Sequence, residues 1–151
     1  MRRSAALPVV LLALGACGSG VLSSGSGRSG TQQFTRSVPA VPSQLIRAGL
    51  KVFGRYAIPI AESDEPAGRV RTMPVNLRAM ANRFETAPLS CVPSTPQDEP
   101  ARVEFDLQVR RTDQGSAMTL EAERKGSTGC VVRTEFISSL LSEIERAAGE
   151  S

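Results

Sequence analysis

The sequence predicts an α+β domain, an antiparallel sheet of four or five strands with two helices packed on one face. Two neighbouring segments, 103–110 and 118–123, carry apolar residues at every second position, which is the period of half-buried strands. Two others, 44–53 and 134–148, carry them at helical spacing. A sheet with a single apolar face needs a cover, and two amphipathic helices supply one.

The first predicted elements are an edge strand and a helix. Residues 31–38 alternate weakly, and Pro39 ends their pairing because proline has no N–H to donate. A helix is expected over 44–53, with Ser43 as its N-terminal cap and Gly54 at its C-terminal end. The domain is therefore expected to start with a strand that leads into a helix.

A second pair of strands is predicted next. Apolar residues alternate over 56–63, the turn residues of 64–68 reverse the chain, and 69–75 return as the partner strand. Residues 76–84 are expected to form a turn or two of helix. Prolines in the rest of the stretch up to residue 101 exclude regular structure there.

The strongest pattern is a hairpin followed by a closing helix. The strands 103–110 and 118–123 flank turn residues at 113–115. The apolar period then changes to that of a helix, with Thr134 as its expected cap and Gly149 at its end. These elements make residues 31–150 a single domain.

Composition narrows the chemistry that this domain could carry. The chain of 151 residues has no histidine and no tryptophan, so the commonest general base and the commonest metal ligand are absent. We therefore expect no catalytic residue, no metal site, no cofactor and no enzymatic activity. Without Arg2 and Arg3, the chain has 16 basic residues of the original 18 and 15 acidic ones, so its side-chain charges nearly balance. It also has no cluster of basic residues, and nucleic acid is therefore not an expected partner.

Four carboxylates on the polar face of the hairpin are the remaining candidates for catalysis: Glu104, Asp106, Glu121 and Glu123. Glycoside hydrolysis uses two acids about 5–10 Å apart, a spacing that neighbouring strands provide. The alternative is a set of exposed cross-strand ion pairs, each contributing about 0–1 kcal/mol, with three cations as partners: Arg69, Arg71 and Arg110. The sequence favours ion pairs, because nothing indicates the burial that such acids need.

The N-terminus has the features of an export signal over residues 1–16. Met1-Arg2-Arg3 precedes an apolar run of about ten residues, well short of the roughly 20 that span a bilayer. The segment Leu14-Gly15-Ala16-Cys17 resembles the lipobox of bacterial lipoproteins, although an ordinary signal peptide with a chance cysteine is the alternative. The resemblance implies cleavage before Cys17, acylation of this residue, and anchoring through the lipid alone in the bacterial cell envelope.

The residues that follow the lipidated cysteine predict a tether and a destination. Glycine and serine dominate 17–30, a composition typical of flexible linkers. Gly18 and Ser19, with no aspartate, fit the outer membrane, with the domain facing the periplasm.

The remaining cysteines, Cys91 and Cys130, predict a disulfide. An exported domain folds in an oxidising compartment, where two cysteines pair by default. The alternative is two buried thiols that pack as small apolar groups. A metal site is poorly supported by two thiols without histidine.

Three segments carry a resemblance to known modules: Phe34-Thr35-Arg36-Ser37-Val38, Leu45-Ile46-Arg47-Ala48-Gly49-Leu50 and Gly68-Arg69-Val70-Arg71-Thr72. This order, with a later cysteine before a closing helix, resembles the helix-grip modules of BamC-like envelope lipoproteins. The resemblance implies a helix-grip-like fold over about 31–148. The chain has one such module and no long segment for docking.

Three functions follow from these observations, in decreasing order of support. The first is a membrane-anchored lipoprotein whose non-enzymatic domain serves protein interaction or envelope maintenance, with an envelope protein as its partner. The second is a carrier of a lipid or small apolar ligand between the helices and the sheet, and the third is a hydrolase that uses the hairpin acids. A large apolar cavity would favour the carrier, whereas a filled core would favour the interaction module.

Overall fold

The computed structural model describes residues 30–92, 100–126 and 129–150. The predicted signal peptide 1–16, Cys17 and the tether up to residue 29 lie outside the described residues. Within these ranges, no helix combines the length and apolar character required to cross a membrane.

Eight strands and two helices make up the described domain. The strands are β1 Thr31–Val38, β2 Ile60–Asp64, β3 Arg69–Thr72, β4 Val75–Asn76, β5 Leu89–Cys91, β6 Arg102–Thr112, β7 Gly115–Lys125 and β8 Cys130–Val132. The helices are α1 Pro42–Arg55 and α2 Thr134–Gly149. The antiparallel main sheet has the order β1-β7-β6-β3-β2, with β4 beside one end of β6, while β5 and β8 form a separate ribbon. The predicted α+β class, an antiparallel sheet covered by two helices, is confirmed, but the main sheet has six strands where four or five were expected.

The β6–β7 hairpin forms the centre of the sheet and buries one face under both helices. Leu107 lies opposite Leu120 in its register, and both side chains are fully buried. Gly49 of α1 packs so closely on β6 that a Cβ at this position would lie 2.5 Å from Leu107 Cδ2. The rings of Phe53 from α1 and Phe105 from β6 stack at 6.1 Å. The alternation in the sequence therefore placed the core on the correct face.

In both helices the predicted cap residue is already helical, and the N-cap lies before it. α1 starts at Pro42 with Val41 as its N-cap, so Ser43 is a first-turn residue and not the cap. Proline suits this first position, because its missing N–H would have no partner inside the helix. α2 likewise starts at Thr134, with Arg133 as the N-cap residue.

The C-terminal end of α1 differs from the prediction for a physical reason. Ala57, not Gly54, adopts the left-handed conformation, with a φ of 54°. The N–H of Ala57 donates to the carbonyl of Gly54 at 3.0 Å, and that of Ile58 donates to the carbonyl of Phe53 at 2.9 Å. This pair of bonds is the Schellman pattern of helix ends. Tyr56 and Ile58 are thus buried within a helix end, and the strand predicted from residue 56 begins four residues later.

The strand predicted over 69–75 is divided in two. β3 ends at Thr72, whose buried hydroxyl accepts the N–H of Phe105 at 2.9 Å and so replaces a backbone partner. Pro74 then separates β3 from β4, because it has no N–H for the ladder.

The prediction for residues 76–101 was met in part over 76–84 and was wrong for the proline-rich part. The helical turn expected over 76–84 is only a 3₁₀ turn at Ala81–Arg83. The proline-rich part contains β5, which pairs with β8. Pro88 has no N–H to donate, and it lies just before β5, outside the ladder. Its carbonyl accepts the N–H of Arg133 at 2.9 Å.

Candidate functional site

At the centre of the described domain, side chains fill the space between the helices and the sheet. Leu45 and Phe53 of α1, Leu107 and Leu120 of the hairpin, and Ile137 of α2 have no accessible surface. A side chain without accessible surface contacts no void as large as a water molecule, whether outside or inside the protein. An apolar ligand has no room beside these five residues.

A chain of five aromatic rings leads from this core to the surface between the two helices. In order it consists of Phe53, Phe105, Phe136, Phe84 and Tyr56, with neighbouring ring centroids 6.1, 6.3, 4.8 and 4.7 Å apart. The rings come from α1, β6, α2 and the connection before β5. Because they tie four segments together, Tyr56 at the outer end is held in place by packing.

The outer end of this chain opens into a polar cleft, which we call the α1–α2 groove. Its volume is about 410 Å³, and seven residues line it: Arg55, Tyr56, Glu85, Ser139, Ser142, Glu143 and Arg146. The last four lie on α2 at positions that share one face of a helix. Charges of both signs and three hydroxyl groups therefore face the same opening.

Glu143 organises the charges of the groove. Its Oε1 accepts a hydrogen bond from the hydroxyl of Tyr56 at 2.5 Å, and its Oε2 accepts one from Nη1 of Arg55 at 3.3 Å. Burial raises the pKa of Tyr56 to about 12, and the hydrogen bond and negative charge of Glu143 add to this rise, against the opposing charge of Arg55. At neutral pH Tyr56 is thus a hydrogen-bond donor fixed on Glu143, and the groove is suited to polar recognition.

The groove was missed by the sequence interpretation. The alternating pattern predicts a strand at Tyr56, whereas this residue lies at the C-terminal end of α1. The available signal was the polar stripe of Ser139, Ser142, Glu143 and Arg146 on the helix that also carries the apolar stripe. Without knowledge of α1, that stripe has the same pattern as any solvent-facing surface.

The four hairpin carboxylates lie on the polar face of the sheet, and three of them, Glu104, Asp106 and Glu123, contact cations. Glu104 lies 3.4 Å from Nζ of Lys125 and 3.8 Å from Nε of Arg71. Asp106 accepts hydrogen bonds from both Nε and Nη2 of Arg69, and these bonds raise the pKa of Arg69.

Lys125 completes this network. It lies 2.7 Å from Glu123, and this hydrogen bond raises the pKa of Lys125. The expectation for Arg110 was wrong, since it lies opposite Ala117 on the hairpin and Lys125 takes the third place. The arrangement is that of cross-strand ion pairs.

The structure brings Cys91 and Cys130 together across the β5–β8 ribbon. The two residues are register partners, joined by a disulfide bond. Cys17, the third candidate site residue, lies outside the described residues. Among the residues that the structure places, no group of three or more histidine, cysteine, aspartate or glutamate side chains could hold a metal ion.

Comparison with known proteins gives similarity in structure alone. No family model matches the chain, and no curated protein matches its sequence. The crystal structure of Ara h 8.0201 is 12% identical, with a TM-score of 0.45 over 80% of this chain and 98% of that one. Protein TTHA0849 from Thermus thermophilus is 13% identical, with a TM-score of 0.41 over 80% of this chain and 97% of that one. Protein CV1439 from Chromobacterium violaceum is also 13% identical, with a TM-score of 0.38 over 80% and 95% of the two chains. Similarities at this level do not identify what the present chain binds.

Proposed function

We propose that this protein is a lipid-anchored protein of the bacterial cell envelope whose domain is a non-enzymatic interaction module. The observation that carries the proposal is the filled core, because it leaves recognition to the outer surface. The lipobox-like segment ending at Cys17 supports the anchor, and the glycine- and serine-rich residues 17–30 support a tether between membrane and domain.

The α1–α2 groove is the surface that we assign to partner recognition. Arg55 and Arg146 are exposed at its rim, and Glu85 adds an exposed charge of the opposite sign. Protein interfaces carry a polar rim and about one hydrogen bond per 100–200 Å², and the hydroxyl groups of the groove are available for such bonds. The proposed partner is an envelope protein that presents charges of both signs to this groove.

The lipid anchor is tested by fractionation of cells that produce the Cys17→Ser variant. The wild-type chain is expected to stay in the membrane fraction after a high-salt wash, and the variant to move into the soluble fraction. Each buried methylene of an acyl chain contributes about 0.8 kcal/mol to membrane binding, so the loss of all chains should release the protein. A variant that still sediments with membranes after the wash would show that lipid is not the anchor.

The interaction role is tested by charge reversal in the groove, within the same membrane-bound protein. Arg146→Glu should remove a cross-linked product that wild type gives in its own envelope, whereas Arg110→Glu, at an exposed position on the hairpin, should retain it.

Organic extraction of the purified protein provides the test of the carrier alternative. A stoichiometric apolar ligand in the extract would favour the carrier over the interaction module.

A further inference from the structure

The two cysteines of the Cys91–Cys130 disulfide differ in exposure. Cys91 is exposed, whereas Cys130 has no accessible surface. Thiol–disulfide exchange requires direct attack of a thiolate on one sulfur of the bond. An external thiolate can therefore reach Cys91 and not Cys130, and this asymmetry fixes which sulfur would be attacked and which would leave.

A guanidinium group lies against both sulfurs. Nη2 of Arg78 is 2.8 Å from Sγ of Cys130 and 3.2 Å from Sγ of Cys91. The turn that carries Arg78 is held by Asn76, whose Oδ1 accepts the N–H groups of Arg78 and Ala79 at 3.1 and 3.2 Å. The cation is thus placed by the fold, nearer to the buried sulfur than to the exposed one.

A disulfide sulfur is a weak acceptor, and a guanidinium gains much more from a thiolate. A cation beside a cysteine stabilises its thiolate, and a sulfur that leaves as a more stable thiolate leaves faster. Arg78 is therefore better matched to the opened bond than to the closed one.

We propose that Cys91–Cys130 is a thiol–disulfide exchange site, in which Cys91 is the attacked sulfur and Cys130 is the leaving sulfur stabilised by Arg78. The reductant is a dithiol. Its first thiolate forms a bond to Sγ of Cys91, the bond between Cys91 and Cys130 breaks, and the electron pair stays on Cys130. Its second thiolate then attacks its own first sulfur, which releases Cys91 as a thiolate and leaves the reductant oxidised by two electrons.

The test measures reduction of the oxidised full chain carrying Cys17→Ser, so that two sulfurs remain. Excess dithiothreitol is the reductant. At each time point the free thiols are blocked by alkylation, and the fraction of reduced protein is measured by mass spectrometry. Arg78→Gln should slow reduction about fivefold through the loss of thiolate stabilisation. Arg78→Lys should stay close to wild type, and the control Arg111→Gln, at an exposed position on the hairpin, should not change the rate. An unchanged or faster rate in a folded Arg78→Gln variant would overturn the proposal.

If Arg78→Gln does not fold, two measurements on protein that retains Arg78 still test the proposal. Brief exposure to glutathione should place the mixed disulfide on Cys91, as mapped by peptide mass, and a tag on Cys130 would contradict the assignment. In the reduced protein, thiolate absorbance at 240 nm should show one cysteine that ionises below the usual value of about 8.5. Two thiols that both ionise at or above that value would refute the role of Arg78.

Discussion

The turn between β2 and β3 contains a glycine whose replacement should be costly. Gly68 has a φ of 68°, in the left-handed region that side chains disfavour. A Cβ at this position would overlap the carbonyl oxygen of Val109 on the neighbouring strand β6. The carbonyl of Gly68 also accepts the N–H of Val109 at 2.7 Å, so the two chains cannot separate without loss of that bond.

The expected effect of Gly68→Ala follows from these two contributions. A left-handed residue with a side chain costs about 1–2 kcal/mol, and a weakened backbone hydrogen bond costs about 0.5–1.5 kcal/mol. We expect the free energy of unfolding to fall by about 2–3 kcal/mol, measured by urea denaturation of the oxidised protein with circular dichroism.

Gly54→Ala is the matched control, because the same change should have the opposite sign there. Gly54 lies in the last turn of α1, and an added Cβ would meet no atom within 4 Å. Alanine in a helix is favoured over glycine by about 0.5–1 kcal/mol, so Gly54→Ala should stabilise the protein. If Gly68→Ala changed the free energy of unfolding by less than about 0.5 kcal/mol, the usual range for surface substitutions, the assigned turn geometry would be refuted.

Two further predictions concern the groove and the core. Tyr56 is the only tyrosine in a chain without tryptophan, so absorbance at 295 nm should report its ionisation alone, with a midpoint near 12, and lower in Glu143→Gln. The pKa of Tyr56 in the folded protein is raised above the ordinary value of 10.0. Its contribution to stability should therefore be complete below pH 10 and lost as pH rises through about 12. Ionisation of Tyr56 at pH 10 in the folded protein would contradict its burial. Leu107→Ala should lower the free energy of unfolding by about 2–5 kcal/mol through the cavity it leaves, and Arg110→Ala should change it by less than about 0.5 kcal/mol; equal effects would reverse the assigned faces of the hairpin.

The hairpin and the helices could be predicted because their signals are local and long. β6 and β7 each have eleven residues, and the alternation along them matches the buried and exposed positions of the structure. The failure at Tyr56 and Ile58 shows the limit of that signal. Apolar residues two apart are also buried where a Schellman turn directs the chain back under a helix, so three alternating residues do not define a strand.

The ribbon and the groove depend on contacts between distant parts of the chain. β5 has three residues, and its pairing with β8 joins cysteines 39 residues apart. The bond between Tyr56 and Glu143 spans 87 residues. Prolines around β5 reduce its local strand propensity, and tertiary pairing overrides that propensity.

The difference between a carrier and an interaction module depends on how deeply the helices pack on the sheet. Gly49 favours close packing of α1, because a Cβ at this position would lie 2.5 Å from Cδ2 of Leu107 and would force that side chain to move. Phe53, Phe105 and Phe136 then occupy the space that remains between the helices and β6. In the sequence, Gly49 lies in an apolar helical stripe and the rings lie at regular core positions, a pattern that an open cavity and a filled core share. Helical and strand periodicity predicts which face is buried, but the distance between the buried faces is set by individual side-chain volumes.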